Sequence, residues 1–203
     1  MFTGIIRGIG KIVKMTVFPG LTRLKIAINQ NLLLGVQKGA SISIDGTCLT
    51  VVDFTESEVD FDVIDESLNK TNLKFLREGD SVNIERAARF GDEIGGHILS
   101  GHVYGTVRIK MIDRPKNNCV VTLECPPGWA KYLLPKGYVA LNGASLTLVD
   151  VDNVNGLFTV HLIPETLVAT TFGLKKVGDV INLEIESQTQ AIVDTIEKIM
   201  HQR

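Results

Sequence analysis

No stretch of about 18 apolar residues occurs in this sequence, so nothing in it reads as a membrane-spanning helix. Runs of Lys or Arg are also missing: 21 basic residues are scattered among 23 acidic ones, which gives no electrostatic footprint for nucleic acid. The opening MFTGIIRGIG has no basic start, long apolar stretch or small-residue cleavage site, so no secretory signal is expected. Only three cysteines are present, Cys48, Cys119 and Cys125. An odd number without a secretory signal argues for reduced thiols in a cytoplasm, and makes the glycosylation-type triplet Asn69-Lys70-Thr71 a coincidence. A dinucleotide-binding glycine loop is excluded because Gly8 and Gly10 are followed by Val13 where a third glycine belongs; no P-loop occurs either. His97 and His102 have no third ligand at metal spacing, so no metal site is expected.

What the sequence does contain is itself, twice. SIDGTCLT (43–50) matches ALNGASLT (140–147), with Gly46, Leu49 and Thr50 recurring as Gly143, Leu146 and Thr147 at a shift of 97. The same shift carries Gly4 and Gly8 to Gly101 and Gly105. Further along the shift becomes 99: Glu66, Leu68 and Thr71 recur as Glu165, Leu167 and Thr170, and Gly79, Asp80, Asn83 and Glu85 as Gly178, Asp179, Asn182 and Glu184. A drift of two residues over this span is the mark of a duplication. The first copy runs over roughly 1–88 and the second over roughly 97–186, joined by ARFGDEIGG.

Both copies are rich in short β-type segments: ASISID, CLTVVDF, VDFDVI and SVNIE, then CVVTLE, YVALNG, SLTLVDV, LFTVHLI and VINLEI. Turn residues separate them at short intervals, which predicts small antiparallel barrels or sandwiches. Short helical pieces are expected in NLLLGVQKG and WAKYLLPKG. The tail SQTQAIVDTIEKIMHQR (187–203) places Ile192, Val193, Ile196, Ile199 and Met200 at helical spacing. A helix of about 15 residues is marginal alone, so its apolar stripe must pack on the barrels or on another subunit.

At this point several motifs converge: MFTGI, GxCLTV around Cys48, GGHxxSGH at 95–102, GxSLT around Ser145, IPETL at 163–167 and the QTQAxVDT start of the tail. Together, in this order, they resemble the α-type riboflavin synthase family. The resemblance implies an all-β fold of two tandem six-stranded antiparallel Greek-key β-barrels plus a C-terminal α-helix. It divides the chain into an N-terminal lumazine-binding barrel (1–96), a C-terminal one (97–186) and a trimerisation helix (187–203). The implied reaction, the last step of riboflavin biosynthesis, dismutates two molecules of 6,7-dimethyl-8-ribityllumazine to riboflavin and 5-amino-6-(ribitylamino)uracil. It needs no cofactor. The implied partners are the small-molecule substrate, two further copies of the chain and lumazine synthase.

The resemblance also assigns residues. As catalytic candidates it marks Ser41, Cys48, His102, Ser145 and Glu186. As substrate contacts it marks Gly4, Ile5 and Ile6; Cys48, Leu49 and Thr50; Asp62, Val63, Ile64, Asp65, Glu66 and Ser67; Gly101, His102 and Val103; Lys136; Ser145, Leu146 and Thr147; and Leu162, Ile163, Pro164, Glu165, Thr166 and Leu167. Cys48 stands where the second copy has Ser145, either as a reactive group beside the ligand ring or as a small packing residue. His102 corresponds to Ile5 of the first copy, so the two pockets are chemically unequal, and an imidazole in only one of them suits a proton shuttle. His97 orients the glycine-rich connection on this reading. Three positions depart from the family: Asp45 replaces Asn, Asn142 replaces Asp, and Glu186 replaces Asp, so the acid before the turn glycine has changed copies. The competing reading is a non-catalytic lumazine- or flavin-binding protein of antenna type, which would keep the barrels and lose the site residues and tail.

Overall fold

Strand alternation decides which side chains face inward. In VDFDVI, Val59, Phe61 and Val63 are fully buried, while Asp60 and Asp62 on the outer face pair with Lys25 and Arg23 of the adjacent strand. The computed structural model, which describes residues 1–202, builds two barrels from such strands. β1 (Gly8–Phe18), β2 (Leu21–Ala27), β3 (Ser41–Ile44), β4 (Thr47–Phe54), β5 (Glu58–Ile64) and β6 (Ser81–Arg86) close in the order β1-β2-β5-β4-β3-β6. β7 (Gly105–Asp113), β8 (Cys119–Glu124), β9 (Tyr138–Leu141), β10 (Ala144–Asp152), β11 (Leu157–Leu162) and β12 (Val180–Ile185) close with the same cyclic order once each strand is matched to its repeat. All pairings are antiparallel, and β2 lying beside β5 rather than β3 makes each barrel a Greek key.

Nine of these strands are legible as β-type segments; β1, β2 and β7 are not. β1 bulges between Ile12 and Lys14, and β7 at the equivalent place between Ile109 and Met111. A bulge inserts one residue, so the alternation slips face halfway along and loses its period, while the extra bend lets the barrel close. β2 carries Arg23 and Lys25 on its outer face, which interrupts its apolar run. Each barrel has its own core, centred on Leu24, Ile42, Phe61 and Ile84 in the first and on Leu123, Leu148, Phe158 and Leu183 in the second.

Short helices decorate the barrels. α1 (Gln30–Leu33) and a 3₁₀ turn (Ala130–Tyr132) fall in the two predicted places. α2 (Asp65–Lys70) and α3 (Pro164–Ala169) follow β5 and β11 and were not foreseen. Both end on a repeated threonine: Thr71 Oγ1 donates to the Ser67 carbonyl and Thr170 Oγ1 to the Thr166 carbonyl, and each hydroxyl then accepts from the main chain two residues on. α4 (Ser187–His201) is the tail helix.

The barrels meet at their β3–β4 and β9–β10 hairpins. Asp45-Gly46 and Asn142-Gly143 all have positive φ, the conformation of a tight two-residue turn matched to strand twist. The turns touch: a Cβ on Gly46 would lie 2.7 Å from the Gly143 nitrogen, and one on Gly143 2.8 Å from the Gly46 nitrogen. Around this contact runs a fully buried amide network. Asn83 Nδ2 donates to the Asn142 carbonyl (2.9 Å), and Asn182 Nδ2 to the Asp45 carbonyl (2.7 Å). Their Oδ1 atoms accept from Thr171 N (2.7 Å) and Asn72 N (2.6 Å) of the opposite copy. The repeated Asn83 and Asn182 are therefore the fastening between copies.

Asp45 belongs to this junction and to neither ligand cavity. Its Oδ1 accepts from Asn83 N and its Oδ2 from Asn72 Nδ2, and it is fully buried. Burial pushes its carboxyl well above the usual range, opposed by Lys175 and the two donors. The exchanged Asn142 is less well served: its Nδ2, like the Thr171 hydroxyl, has no partner among the described residues.

Gly46 and Gly79 separate two effects that positive-φ glycines usually mix. Gly79 has open space where a Cβ would stand, so Gly79→Ala should cost only the backbone strain, roughly 1–2 kcal/mol. Gly46→Ala adds a main-chain collision that no rotamer relieves, and should cost about 3 kcal/mol or more. Urea melts of the two variants measure the difference; equal midpoints would refute a rigid hairpin contact.

Candidate functional site

The two arms that precede the barrels are exchanged. Residues 2–6 lead into β1 of the first barrel, yet the Gly4 carbonyl accepts from Ser145 N of the second barrel at 2.8 Å. Residues 99–103 lead into β7 of the second barrel, yet the Gly101 carbonyl accepts from Cys48 N of the first at 2.9 Å. Phe2 and Leu99 pair with each other between the barrels. The repeated glycines are required here. With φ of +76° and +79°, a Cβ on Gly4 would stand 2.5 Å from that of Ser145, and one on Gly101 2.6 Å from that of Cys48.

The exchange puts His102 over the first barrel. A cavity of about 260 Å³ is lined by Thr47, Cys48, Glu66, Ser67, Lys70, Thr71, Gly101, His102 and Val103. Six of these, Cys48, Glu66, Ser67, Gly101, His102 and Val103, come from three distant stretches of predicted contacts. Thr47, Lys70 and Thr71 were not among the candidates. The repeat of Thr71 as Thr170 was the signal for one of them; the Glu66–Lys70 ion pair at 2.7 Å, one helical turn apart, could have been found from spacing. Glu165 and Thr166, at the start of α3, occupy the corresponding places in the second barrel, with Gly4, Ile5 and Ile6 as the arm.

Other candidates stand outside the cavity lining. Ser41 and Thr50 face each other across the β3–β4 pair. Leu49, Val63 and Leu162 turn their side chains into the barrel cores, so only their main chain can meet a ligand. Asp62 is held by Arg23 through two bonds of 2.7 and 2.8 Å, and the guanidinium holds its carboxyl below the usual range. Lys136 sits in the turn before β9 with φ of +69° and is exposed. Leu146 packs half-buried against the second core, beside exposed Thr147. Ile64 and Ile163 are exposed apolar residues at the ends of β5 and β11, where Asp65 and Pro164 open the helices; Leu167 is half-buried on α3.

Glu186 is engaged in capping α4. Its carboxylate accepts from Gln188 N (2.9 Å), Thr189 N (2.7 Å) and Thr189 Oγ1 (2.8 Å). Burial pushes it up, but these bonds and nearby His97 outweigh that and leave it below its ordinary value. The extra methylene relative to Asp is compatible with this cap.

His97, read only as orienting the connection, is the residue that sequence reasoning undervalued. Its Nδ1 lies 2.7 Å from Ser145 Oγ, and its ring stacks on Tyr138 with centroids 5.1 Å apart. Each barrel thus receives one histidine from the same arm: His97 beside Ser145, His102 beside Cys48. Two larger clefts, of about 450 and 710 Å³, lie away from these residues. The larger one lies between the repeats and is lined by the matched pairs Asn72/Thr171 and Asp80/Asp179, the two aspartates accepting from backbone N–H groups of their own turns.

Two small closed barrels, each capped by an arm of the other copy, define a duplicated ligand-binding barrel protein. The lumazine binding domain family matches residues 3–87 and 100–186, both arms included. Riboflavin synthase of Escherichia coli (strain K12) is 43% identical over 100% of this chain and 95% of its own length. That of Chlamydia pneumoniae is 40% identical over 98% and 97%. Among solved structures, LumP complexed with riboflavin superposes with a TM-score of 0.85 at 26% identity, covering 92% of this chain and 100% of its own. LumP complexed with 6,7-dimethyl-8-(1'-D-ribityl) lumazine gives 0.83 at 25% identity, covering 92% and 99%. The chain belongs to the riboflavin synthase family.

Burial lowers the pKa of His97, with Glu186 opposing. The unfolded chain therefore binds a proton that the folded chain resists, and stability is lost as pH falls below about 6.5 and through the folded value. Thermal melts between pH 7.5 and 5 should show this loss. His97→Gln keeps a partner for Ser145 but cannot titrate, so its melts should fall less steeply; an unchanged slope would show that other groups carry it.

Proposed function

We propose that this chain catalyses the dismutation of two molecules of 6,7-dimethyl-8-ribityllumazine, moving a four-carbon unit from one to the other to give riboflavin and 5-amino-6-(ribitylamino)uracil. The observation that carries the reading is the exchanged arm, which brings His102 into the cavity of Cys48, while the equivalent arm, bonded to Ser145 N through the Gly4 carbonyl, carries Ile5 at the matching position. Two similar barrels, each met by an arm of the other copy, suit two identical substrates. Unequal arms suit their unequal fates, one giving up and one receiving the four carbons. The two products together hold the atoms of the two substrates, so no oxidant, reductant or water enters the balance, in keeping with a reaction that needs no cofactor.

Catalysis on this reading is positioning plus proton transfer. Holding both rings together turns an encounter between two solutes into a step within one complex. A proton must leave the acidic C7 methyl group of one lumazine, and a nitrogen of the departing uracil must gain one. His102 is placed to move it, with Cys48 and the Ser67 hydroxyl lining the same space. Ser41, Thr50, Ser145 and Thr147 supply polar contacts, and Lys136 reaches an adjacent site. A cavity of about 260 Å³ is small for a closed ligand pocket, which fits a site completed by a second subunit. The chain works as a homotrimer in the cytoplasm, the first barrel of one subunit meeting the second barrel of its neighbour, with lumazine synthase as a further partner. On this reading residues 1–96 and 97–186 are the two binding domains and 187–203 the assembly helix.

α4 supports the trimer. Tyr132 Oη donates to Asp194 (2.6 Å), Lys131 pairs with Glu197 and Val193 packs on the second core, so one face is docked. The Asp194 bond pushes the Tyr132 hydroxyl up to about 12. Ile192, Ile196, Ile199 and Met200 remain at least half-exposed in the single chain. The likeness to LumP favours one other reading, a lumazine- or flavin-binding protein without turnover.

Incubating the purified chain with the lumazine and following riboflavin absorbance separates the two: one riboflavin should appear per two lumazines consumed, and binding without product would leave only the second reading. His102→Gln should lower turnover about 10-fold or more with riboflavin affinity little changed. Deleting residues 187–203 should give monomers that bind lumazine but turn over poorly; a truncated chain that sediments as a trimer would overturn the assembly role of α4.

A further inference from the structure

Each crossing arm is anchored by a buried glutamate that the proposed chemistry leaves unused. Glu184 on β12 is 7% exposed. Its Oε1 accepts from Ser100 N (2.7 Å) and Ser100 Oγ (2.8 Å), and its Oε2 from Gly101 N (3.1 Å). The Ser100 hydroxyl in turn accepts from His102 N at 3.0 Å, and the Gly101 carbonyl holds Cys48 N. Glu85 on β6 repeats the clamp: it accepts from Thr3 N (2.7 Å), Thr3 Oγ1 (2.7 Å) and Gly4 N (3.0 Å), with Ile5 N on the Thr3 hydroxyl. The scaffolds are the same, but one ends on an imidazole and the other on an alkyl chain.

We propose that Glu184 is the positioning residue for His102, setting from the last strand of the second barrel the imidazole that serves the first barrel's cavity, while Glu85 holds only the arm that carries Ile5. The inference rests on the reading of the chain as a riboflavin synthase. A carboxylate is needed because three donors converge on two oxygens. Burial raises the pKa of both carboxyls, and the donors from each arm, with His102 in the case of Glu184 and Arg7 in that of Glu85, draw them back. A glutamine would accept from Ser100 but turn its own N–H₂ toward Gly101 N, loosening the arm where it passes Cys48. Glu85 and Glu184 therefore form an internal control: equal structural loss, unequal chemical consequence.

The test uses the full chain and its Glu184→Gln, Glu85→Gln and His102→Gln variants, singly and with Glu184→Gln combined with His102→Gln. Glu184→Gln should lower kcat about 10-fold with KM within about 3-fold of wild type, and should cost less than about 2-fold more in the His102→Gln background. Glu85→Gln should change KM more than kcat, with a similar loss in melting temperature. Multiplying effects of Glu184→Gln and His102→Gln, or equal kcat losses in the two glutamine variants, overturn the proposal. If Glu184→Gln fails to fold, Ser100→Ala cuts only the hydroxyl link; it should lower kcat about 3-fold, again with no further cost in the His102→Gln background, and full multiplication there overturns the proposal. The His102 ring resonances, assigned against His102→Gln, read the same inference without turnover: they should shift in Glu184→Gln or Ser100→Ala and stay in Glu85→Gln. Unmoved resonances overturn it even where an inactive wild type has removed the synthase reading.

Discussion

The contact between the Asp45-Gly46 and Asn142-Gly143 turns is the constraint on which the rest depends. Two tight hairpins can approach backbone to backbone only where neither carries a Cβ, and the amides of Asn83 and Asn182 then reach across to the opposite hairpin carbonyls. In a fully buried setting each unpaired group is costly and most of these find partners, so the geometry tolerates little slip. That rigidity fixes the second barrel relative to the first, and hence where each arm lands. Moving the junction by a residue would carry Gly101 off Cys48 and Gly4 off Ser145.

Arm exchange explains how a duplicated chain can give its two barrels different chemistry. Each copy contributes its barrel to one arm–barrel contact and its arm to the other, so divergence of the arms alone changes the chemistry. The connecting segment carries His97 and His102 five residues apart and delivers them to different barrels, His97 to Ser145 and His102 to Cys48. The first arm, with Ile5 and Ile6, delivers apolar surface; Ile6 packs on the second core. The two arms thus differ, one carrying an imidazole and the other alkyl side chains, while the connecting segment adds His97 beside Ser145.

Stability and chemistry are drawn from different residues here. The buried Asn83, Asn182, Asp45 and Asn72 hold the junction and contact no cavity near Cys48 or Ser145. Glu186, placed among the catalytic candidates by likeness, caps α4 with both oxygens and sits close enough to His97 for their charges to interact. The departures at Asp45 and Asn142 fall on the junction as well, where the exchange satisfies Asp45 and leaves the Asn142 amide donor unpaired.

The sequence alone determined the duplication, the strand-rich class and most of the barrel strands, because period-two patterns and turn glycines are local signals written twice. The tail helix, present once, was legible from its apolar residues at helical spacing. What stayed hidden is what depends on contacts across the chain. β1 and β7 lost their period to bulges whose purpose is barrel closure. α2 and α3 are six-residue pieces ended by Thr71 and Thr170, too short to show a helical repeat. Asn83, Glu85, Asn182 and Glu184 were visible as repeated letters, yet their roles lie with residues 59 to 137 positions away. Only the tertiary structure decided that His102 belongs to the cavity of Cys48 and that His97 meets Ser145, because a sequence comparison aligns each arm with its own copy, whereas the packing of two glycines against two hairpins sends it to the other.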